Sequence, residues 1–319
     1  MLSSTAECLF WLGRYTERAA NIARGLGVAS RMASLSASLG ENAEWRGLLV
    51  ASGGEEGFAE KYQDAITQET VVDWLVRDAD NPSSIFTCFE AARRNGRAVR
   101  TALTVDMWSA LNDSWNALRQ RDLTQVDGEA LPEFLDWVRE RVLLFNGAAT
   151  DTMLRNEAWR FVQLGTALER ADNAARLLDV RHGMLAAGET AEYAQWQAIL
   201  ASASAARAYQ WVYRDRLEPI RIAELLILRP ELPRSLVACF GRVSELLDDI
   251  AAEQGGRRGE CHRLAGELHS TLRYARIADI FEEGLHVFLT RKIERAAMLG
   301  AAIDAFYLGS TGRRNSRLS

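Results

Sequence analysis

Two sets of polar side chains stand at positions where their spacing would let them share a site. On a helix, Glu17 lies one turn before Asn21, and Asn21 lies one turn before Arg24, so the three side chains can touch. Arginine binds carboxylate or phosphate through a planar fork of donors, and glutamate can act as a base or as the partner of an amine. These residues suit either a polar pocket or a buried network of ion pairs.

The same residue types return 152 positions later in the chain, and further blocks follow at an offset of 151. Collinear blocks at nearly one offset predict an internal duplication into halves 1–150 and 151–308. The matched pairs include Gly13 and Gly165, Glu17 and Glu169, Arg18 and Arg170, Asn21 and Asn173, Arg24 and Arg176, Trp45 and Trp196, and Pro82 and Pro233.

The candidate polar site comprises the charged and amide residues on this face of the two copies. Its members are Arg14, Glu17, Arg18, Asn21, Arg24, Glu169, Arg170, Asn173 and Arg176. In a pocket, Glu169 would be the base, while Arg170 and Arg176 would hold a carboxylate. In a structural network, the same groups would pair across a pseudo-twofold axis, and a third alternative is a plain solvent-exposed face. The burial of the glutamates distinguishes these interpretations.

The elements that position these residues are predicted to be helices. Only five prolines occur in 319 residues, and long stretches are rich in Ala, Leu, Arg and Glu. We predict one all-α domain, in which two helical repeats share a core about a pseudo-twofold axis, followed by a mobile basic tail over 309–319. The predicted helices cover about 5–36, 55–76, 83–119, 131–148, 153–187, 191–215, 233–253, 260–274 and 276–308.

Composition and motifs exclude several function classes. The net charge of −5 and the lack of a basic stripe argue against binding to nucleic acid. The sequence contains neither a signal-peptide pattern nor an apolar run long enough to span a membrane, which favours a cytoplasmic location. A P-loop and a Gly-x-Ser-x-Gly elbow are also absent, so we expect no cofactor and find no recognised catalytic signature.

Weaker candidates lie outside the repeated polar face. Glu283 and His286 form one Glu-x-x-His pattern, but a di-iron bundle needs two, so no metal is predicted. His286 and His269 can transfer protons or serve as hydrogen-bonded structural histidines. Three more charged residues lie near the start of the second repeat helix. Glu157 suits the helix dipole there, while Arg155 and Arg160 can join a site with Glu169 or pair with acids on a neighbouring helix.

Several stretches of the chain resemble the bacterial alpha-E domain family over nearly the full length. They include Leu9–Ala19, Asn81–Ile85, Thr152–Phe161, Leu168–Asp172 and Gly284–Leu289. One departure is that the family often has an acid after Glu-Arg-Ala, where the second copy has Asp172 but the first has Ala20. If both halves build equivalent sites, the first is expected to be the weaker.

The resemblance implies an all-helical fold and a genomic setting beside circularly permuted ATP-grasp proteins and transglutaminase-like peptidases. It therefore implies an accessory or substrate-binding component of a system for peptide synthesis or modification. Its expected partners are an ATP-grasp ligase, a transglutaminase-like protein and a peptide substrate. The alternative is an enzyme that acts on a peptide or amino-acid-like substrate through the Glu/Arg/Asn pocket.

Overall fold

A computed structural model describes residues 1–35, 42–63, 65–180, 182 and 193–309. All regular structure in these residues is helical, which confirms the predicted fold class. The α-helices are α1 Ser3–Leu35, α2 Ala43–Ser52, α3 Glu55–Tyr62, α4 Gln68–Val76, α5 Ile85–Ala98, α6 Val105–Gln120, α7 Ala130–Thr152, α8 Glu157–Val180, α9 Tyr193–Ser202, α10 Ala206–Tyr213, α11 Pro219–Leu228, α12 Leu236–Glu253, α13 Glu260–Arg273, α14 Ile277–Glu283 and α15 Leu285–Ile303.

Helices α1 and α8 cross at the centre of the molecule, and two glycines allow their backbones to touch. A Cβ atom on Gly13 would lie 2.1 Å from the carbonyl oxygen of Val162. A Cβ atom on Gly165 would lie 2.0 Å from the carbonyl oxygen of Phe10. Because no side chain fits at either position, the two glycines set the distance between the helices. Helix α1 also packs against α5 and α7, and α8 packs against α12 and α15.

Serine caps fix the starts of α5 and α12, the helices that flank this crossing. The hydroxyl of Ser84 accepts a hydrogen bond from the backbone N–H of Thr87 at 3.2 Å. The hydroxyl of Ser235 accepts one from Ala238, also at 3.2 Å. Such caps satisfy backbone donors that the first turn of a helix leaves unpaired. The residue before each capping serine contacts a charged group at the crossing. Ser83, before Ser84, accepts from Arg18, and Arg234, before Ser235, pairs with Glu17.

Several predicted helices are interrupted where the backbone adopts a positive φ. The predicted helix 55–76 breaks after Gln63 (φ 50°), 191–215 breaks at Ser204 (φ 56°), and 276–308 breaks at Gly284 (φ 101°). Left-handed residues end helices because they turn the chain away from the helix axis. The predicted helix 83–119 is also divided, by a 3₁₀ turn over Arg100–Ala102.

Two helices that the sequence analysis did not predict are α2 and α11. The proline at the first position of α11, Pro219, suits a helix start because its missing N–H would be unpaired there anyway. The predicted mobile tail falls outside the described residues after Gly309.

The apolar core of the described residues forms two clusters, of which one is shared by the two halves and the other lies within the first. One cluster lies within residues 19–142, whereas the other draws on residues from 6 to 308. The half-buried ring of Tyr15 on α1 packs against both clusters. Helix α1 therefore joins the two parts of the core, and the polar face of the same helix carries the candidate site. None of the described helices is long and apolar enough to cross a membrane.

Candidate functional site

The first central cluster is built around Glu169 on α8. Its side chain is only 6% exposed, and both of its carboxylate oxygens accept hydrogen bonds from arginines of α1. Arg14 Nε donates to Oε2 at 2.7 Å, while Arg18 donates from Nε to Oε1 at 2.6 Å and from Nη2 to Oε2 at 3.1 Å. The bidentate contact of Arg18 is the strong form of this pair. A further nitrogen of Arg18 donates to the hydroxyl of Ser83 at 3.2 Å.

The second central cluster is built around Glu17 on α1, which is 1% exposed. Arg170 and Arg234 approach its carboxylate at 3.0 and 2.8 Å, and Arg24 lies at 3.8 Å. Arg24 and Arg234 also donate to the amide oxygen of Asn21, at 3.0 and 3.3 Å. One carboxylate thus faces three guanidinium groups.

The two clusters are reciprocal in their main ion pair and differ in the rest. Arg18 pairs with Glu169, and Arg170, at the matching position, pairs with Glu17. The additional arginine on Glu169 is Arg14, whereas the additional arginine nearest to Glu17 is Arg234. Each half of the chain therefore supplies a buried negative charge that the other half neutralises.

Hydrogen bonding also separates the clusters. The pairs of Glu169 have good hydrogen-bond geometry, but the contacts of Glu17 are ion pairs at which neither oxygen accepts a well-aligned hydrogen bond. Two donors nearby are buried without a hydrogen-bond acceptor among the described residues, namely Asn21 Nδ2 and Arg170 Nε. Buried donors without partners are costly, so the Glu17 cluster is the less completely hydrogen-bonded of the two.

The arginines keep both carboxylates ionised. Burial alone would raise the pKa of Glu169, but Arg18 and Arg14 outweigh it and lower this pKa to about 2. For Glu17, burial is likewise outweighed by Arg234 and Arg170, so its pKa is lowered. A carboxylate with such a low pKa and both oxygens engaged by arginines is a weak proton acceptor. The arrangement therefore argues against Glu169 as a general base.

Crowding of positive charge is visible at Arg24. Burial and the nearby Arg234 lower the pKa of Arg24 to about 9, even though Glu17 acts in the opposite direction. The guanidinium group is still charged at neutral pH, but an additional anion beside it would relieve repulsion.

Acid is expected to unfold the protein as these carboxylates become protonated. Between the ordinary pKa of 4.5 and the folded value of about 2, Glu169 binds fewer protons in the folded state than in the unfolded chain. The contribution of Glu169 to the free energy of unfolding is therefore complete above pH 4.5 and is lost as the pH falls through 2. The loss for this group amounts to about 3 kcal/mol. Urea unfolding at a series of pH values measures the loss, which should shrink in the Glu169→Gln variant. An equal acid response in wild type and variant would contradict this assignment.

The remaining members of the predicted site lie farther along α8 and do not join the Glu169 pairs. Arg176 forms an ion pair with Asp172 at 3.0 Å, one turn earlier on the same helix. Arg176 also approaches the loop at Gly53, where a Cβ atom would lie 3.6 Å from one of its nitrogens. Asn173 is half-buried beside them. The equivalence of Arg24 and Arg176 in sequence is thus not matched by equivalent contacts.

The weaker candidates lie away from both clusters. Arg160 pairs with Asp249 and Glu253 on α12, and Glu157 contacts the N-terminal amine at 2.9 Å. Arg155 is exposed, with its guanidinium 5.5 Å from the ring of Trp159. Of the two arginines, Arg160 therefore pairs with acids of a neighbouring helix, whereas Arg155 lies against an aromatic ring. His269 is half-buried and packs against α12, where a Cβ atom on Gly241 would meet its ring at 3.0 Å.

His286 belongs to a different grouping from the predicted Glu-x-x-His pattern. Its Nδ1 lies 2.6 Å from the carboxylate of Asp179, and its ring stacks on His182 with 4.5 Å between centroids. The potential ligand atoms of Asp179, His182 and His286 all fall within 4.8 Å of one another. Two imidazoles and a carboxylate can hold a transition metal, although the Asp179 carboxylate here bonds to His286 itself. Glu283, the other member of the pattern, pairs with Arg291 instead.

Sequence reasoning missed two residues of the central clusters, Arg234 and Ser83. They stand at equivalent places before the capping serines of α12 and α5, one offset of 151 apart. The signal that identifies them is their position beside a repeated Pro and a repeated Ser, which aims both side chains at the centre. Their types differ, so identity between the repeats could not reveal them.

The fold and site define an all-helical protein with two Glu/Arg clusters buried at a helix crossing. The sequence model of the alpha-E family, described as a predicted alpha-helical domain with a conserved ER motif, matches residues 1–308. The chain belongs to this family. Glu17-Arg18 and Glu169-Arg170 are two Glu-Arg pairs that fit such a motif.

Relatives of the chain occur in mycobacteria. It is 28% identical over 291 residues to uncharacterized protein Mb2597 of Mycobacterium bovis and to uncharacterized proteins MT2643 and Rv2567 of Mycobacterium tuberculosis. Each alignment covers 83% of this chain and 31% of the relative, so the chain spans about a third of the length of these proteins. No solved structure matches the chain.

Proposed function

We propose that the chain is an accessory, substrate-binding component of a system for peptide synthesis or modification, working with an ATP-grasp ligase and a transglutaminase-like protein. The observation that carries the proposal is the excess of guanidinium groups at Glu17. The ligand of the chain at this cluster is the carboxylate group of a peptide or of an amino-acid-like substrate. A cytoplasmic location, where a ligase has access to ATP, is part of the same proposal.

Charge and hydrogen bonding support an anionic ligand at the Glu17 cluster. Three arginines surround one carboxylate, and this leaves two positive charges without a counter-charge inside the cluster. The unpartnered donors of Asn21 and Arg170 would gain acceptors from a carboxylate. Arginine and amide donors together match the planar carboxylate group better than a spherical ion.

Partial exposure of the arginines supports access from solvent. The side chains of Arg170 and Arg234 are 27% and 19% exposed, whereas Glu17 beneath them is 1% exposed. A ligand can therefore reach the arginines without displacing the buried glutamate. In the Glu169 cluster, each carboxylate oxygen already accepts from an arginine, so that cluster is better suited to hold the two halves together.

We also propose that the two halves arose by duplication and are related by a pseudo-twofold axis through the α1–α8 crossing. The reciprocal contacts of Gly13 and Gly165 support this relation, as do the exchanged pairs of Arg18 and Arg170. The two sites would then have diverged, with Arg234 retained for a ligand on one side and Ser83 in its place on the other.

Calorimetric titration with a short peptide tests the ligand-binding role. A peptide with a free terminal carboxylate is expected to bind, and its C-terminally amidated form is expected to bind at least about tenfold more weakly, which corresponds to about 1.4 kcal/mol. Arg234→Ser, which copies the residue at the equivalent position in the other half, should abolish the preference. Arg242→Ser, at an exposed ion pair on α12, should preserve it. Equal binding of both peptides would contradict a carboxylate site.

Co-purification tests the proposed partnership separately. The tagged chain, produced in its native host, is expected to retain an ATP-grasp ligase under mild conditions. The Arg234→Ser variant should retain the ligase as well, because the proposal assigns Arg234 to the small ligand. Failure to recover a ligase with either protein would count against the accessory role while leaving the anion-binding measurement intact.

A further inference from the structure

The chain contains two lysines, Lys61 and Lys292, among 38 basic residues of the Lys and Arg types. All other positions of this kind carry arginine, including the buried ion pairs described above. A guanidinium group is protonated at all ordinary pH values, whereas a lysine amine can become neutral and nucleophilic. A buried lysine in an arginine-rich chain therefore points to a role that arginine cannot fill.

Lys292 on α15 is such a buried lysine, with 6% of its surface exposed. Its Nζ atom donates to the hydroxyl of Thr271 at 2.9 Å, and this hydroxyl donates onward to the carbonyl oxygen of Leu268 at 3.1 Å. The ring of Phe288 lies 5.1 Å from Nζ. Within the described part of the chain, Lys292 forms no ion pair with a carboxylate, although a buried ammonium ion would normally require one.

A cleft of about 280 Å³ between α13, α14 and α15 is lined by Lys292 and by several charged side chains. Two arginines of α15 flank the lysine. Arg291 pairs with Glu283 through both terminal nitrogens, whereas Arg295 pairs with Glu267 through one terminal nitrogen. The guanidinium group of Arg295 thus keeps donors for a ligand in the cleft.

The surroundings of Lys292 increase the share of its neutral form. Burial and the neighbouring Arg291 lower the pKa of Lys292 to about 8. Lys61 has the opposite environment, because hydrogen bonds to Asp78 and Asp80 raise its pKa. At pH 8, about half of Lys292 is therefore the free amine, against about 0.3% for a lysine with its ordinary pKa of 10.5.

We propose that Lys292 is a nucleophilic amine that condenses with the carbonyl carbon of a small 2-oxo acid to form an imine in this cleft. The lone pair of Nζ attacks the carbonyl carbon, and a proton moves from nitrogen to the former carbonyl oxygen to give a carbinolamine. Loss of the hydroxyl group as water then forms the C=N bond. The step consumes one amine and one carbonyl, releases one water and requires no oxidant.

The cleft supplies recognition for both ends of such a ligand. Arg295, one turn after Lys292, would hold the carboxylate next to the carbonyl. Thr271 keeps Nζ in place by accepting one of its hydrogens. Glu267 and Glu283 line the same cleft and offset the positive charge of Arg295 and Arg291, with which they pair, so that a protonated imine would not face two unbalanced arginines. This site is separate from the Glu17 cluster, so neither proposal depends on the other.

Reductive trapping tests the proposal on the intact chain. Pyruvate and cyanoborohydride are added at a pH of about 8, and peptide mass spectrometry follows modification at both lysines. We expect Lys292 to be modified at least about tenfold faster than Lys61, because more of it is the free amine. The comparison takes place within one molecule, so it does not depend on the folding of a variant. Modification of Lys292 at or below the rate of Lys61 would overturn the proposal.

A second comparison tests carboxylate recognition. Wild-type Lys292 should react faster with pyruvate than with its uncharged methyl ester, after correction for the rates at Lys61. Arg295→Gln should remove this preference. The matched control is Arg263→Gln, because Arg263 also pairs with Glu267 but is exposed on α13. Equal corrected rates for the acid and the ester in the wild-type protein would overturn the assignment of a 2-oxo acid.

Discussion

Glu169→Gln is expected to lower the free energy of unfolding by about 3–5 kcal/mol, the usual cost of leaving a buried charge without its partner. Glu169 is buried between Arg14 and Arg18, which both donate to its carboxylate. Glutamine preserves the shape of the side chain but removes the negative charge and replaces one acceptor by a donor. Two arginines would then face an amide in the interior. Urea unfolding at neutral pH measures the difference.

The matched control for this experiment is Glu245→Gln. Glu245 also pairs with an arginine, Arg242, but its side chain is 66% exposed. Exposed pairs contribute little because water already solvates both charges. The control should therefore retain the wild-type unfolding midpoint. A small effect of both substitutions would show that the Glu169 cluster contributes little to holding α1 against α8, and the structural interpretation would be wrong.

Gly13→Ala and Gly165→Ala are each expected to destabilise the fold by about 3 kcal/mol or more, because overpacking at a rigid contact has no cheap relaxation. The added methyl group would lie 2.1 Å from the carbonyl oxygen of Val162 in the first variant and 2.0 Å from that of Phe10 in the second. These are backbone atoms, so relief requires the two central helices to separate. Thermal and urea unfolding measure the loss.

Gly147→Ala and Gly266→Ala provide controls of the same chemical change within helices α7 and α13. A Cβ atom at either position meets nothing within 4 Å. Alanine favours helix over glycine by about 0.5–1 kcal/mol, so these variants should be at least as stable as wild type. If all four variants behaved alike, helix propensity and not the contact between α1 and α8 would explain the results.

The sequence alone was sufficient to predict the helical fold, because apolar residues recur at helical spacing throughout. It did not predict the breaks at Gln63 and Ser204, since neither residue is a typical left-handed residue. Gly284 is typical, but the helical pattern on both sides of it concealed the break. Helices α2 and α11, which the sequence did not predict, are short, and packing stabilises such helices more than their own propensity does.

The candidate site was predictable in its residue types and unpredictable in its pairing. Glu17 and Glu169 could be found because the same residue types recur at an offset of 152, each time on a polar helix face. Whether each pairs within its own half or with the other half depends on how α1 crosses α8, which helical spacing does not specify. The role of Arg234 could not be predicted for the same reason. It is more than 200 positions from Glu17 in the sequence, and only the tertiary fold brings the two side chains together.

Lys292 illustrates a different limit. Its helix was predicted, but periodicity alone does not distinguish a buried lysine from one that extends to solvent. The relevant signal was compositional, since lysine is rare in this chain while arginine is abundant. Rarity of a residue type indicates that a position is special without stating what it does.

The crossing of α1 with α8 also affects how the protein matures on the ribosome. Synthesis proceeds from the amino end, and about 120 residues separate the last residue of α1 from the first residue of α8. Until α8 emerges, the nascent chain holds Glu17 without Arg170, and Gly13 faces no neighbouring backbone. The central interface therefore assembles late, after long-range contacts have closed a large loop. The apolar cluster within residues 19–142 can form before α8 is made, but the charged interface between α1 and α8 has to wait for the second half.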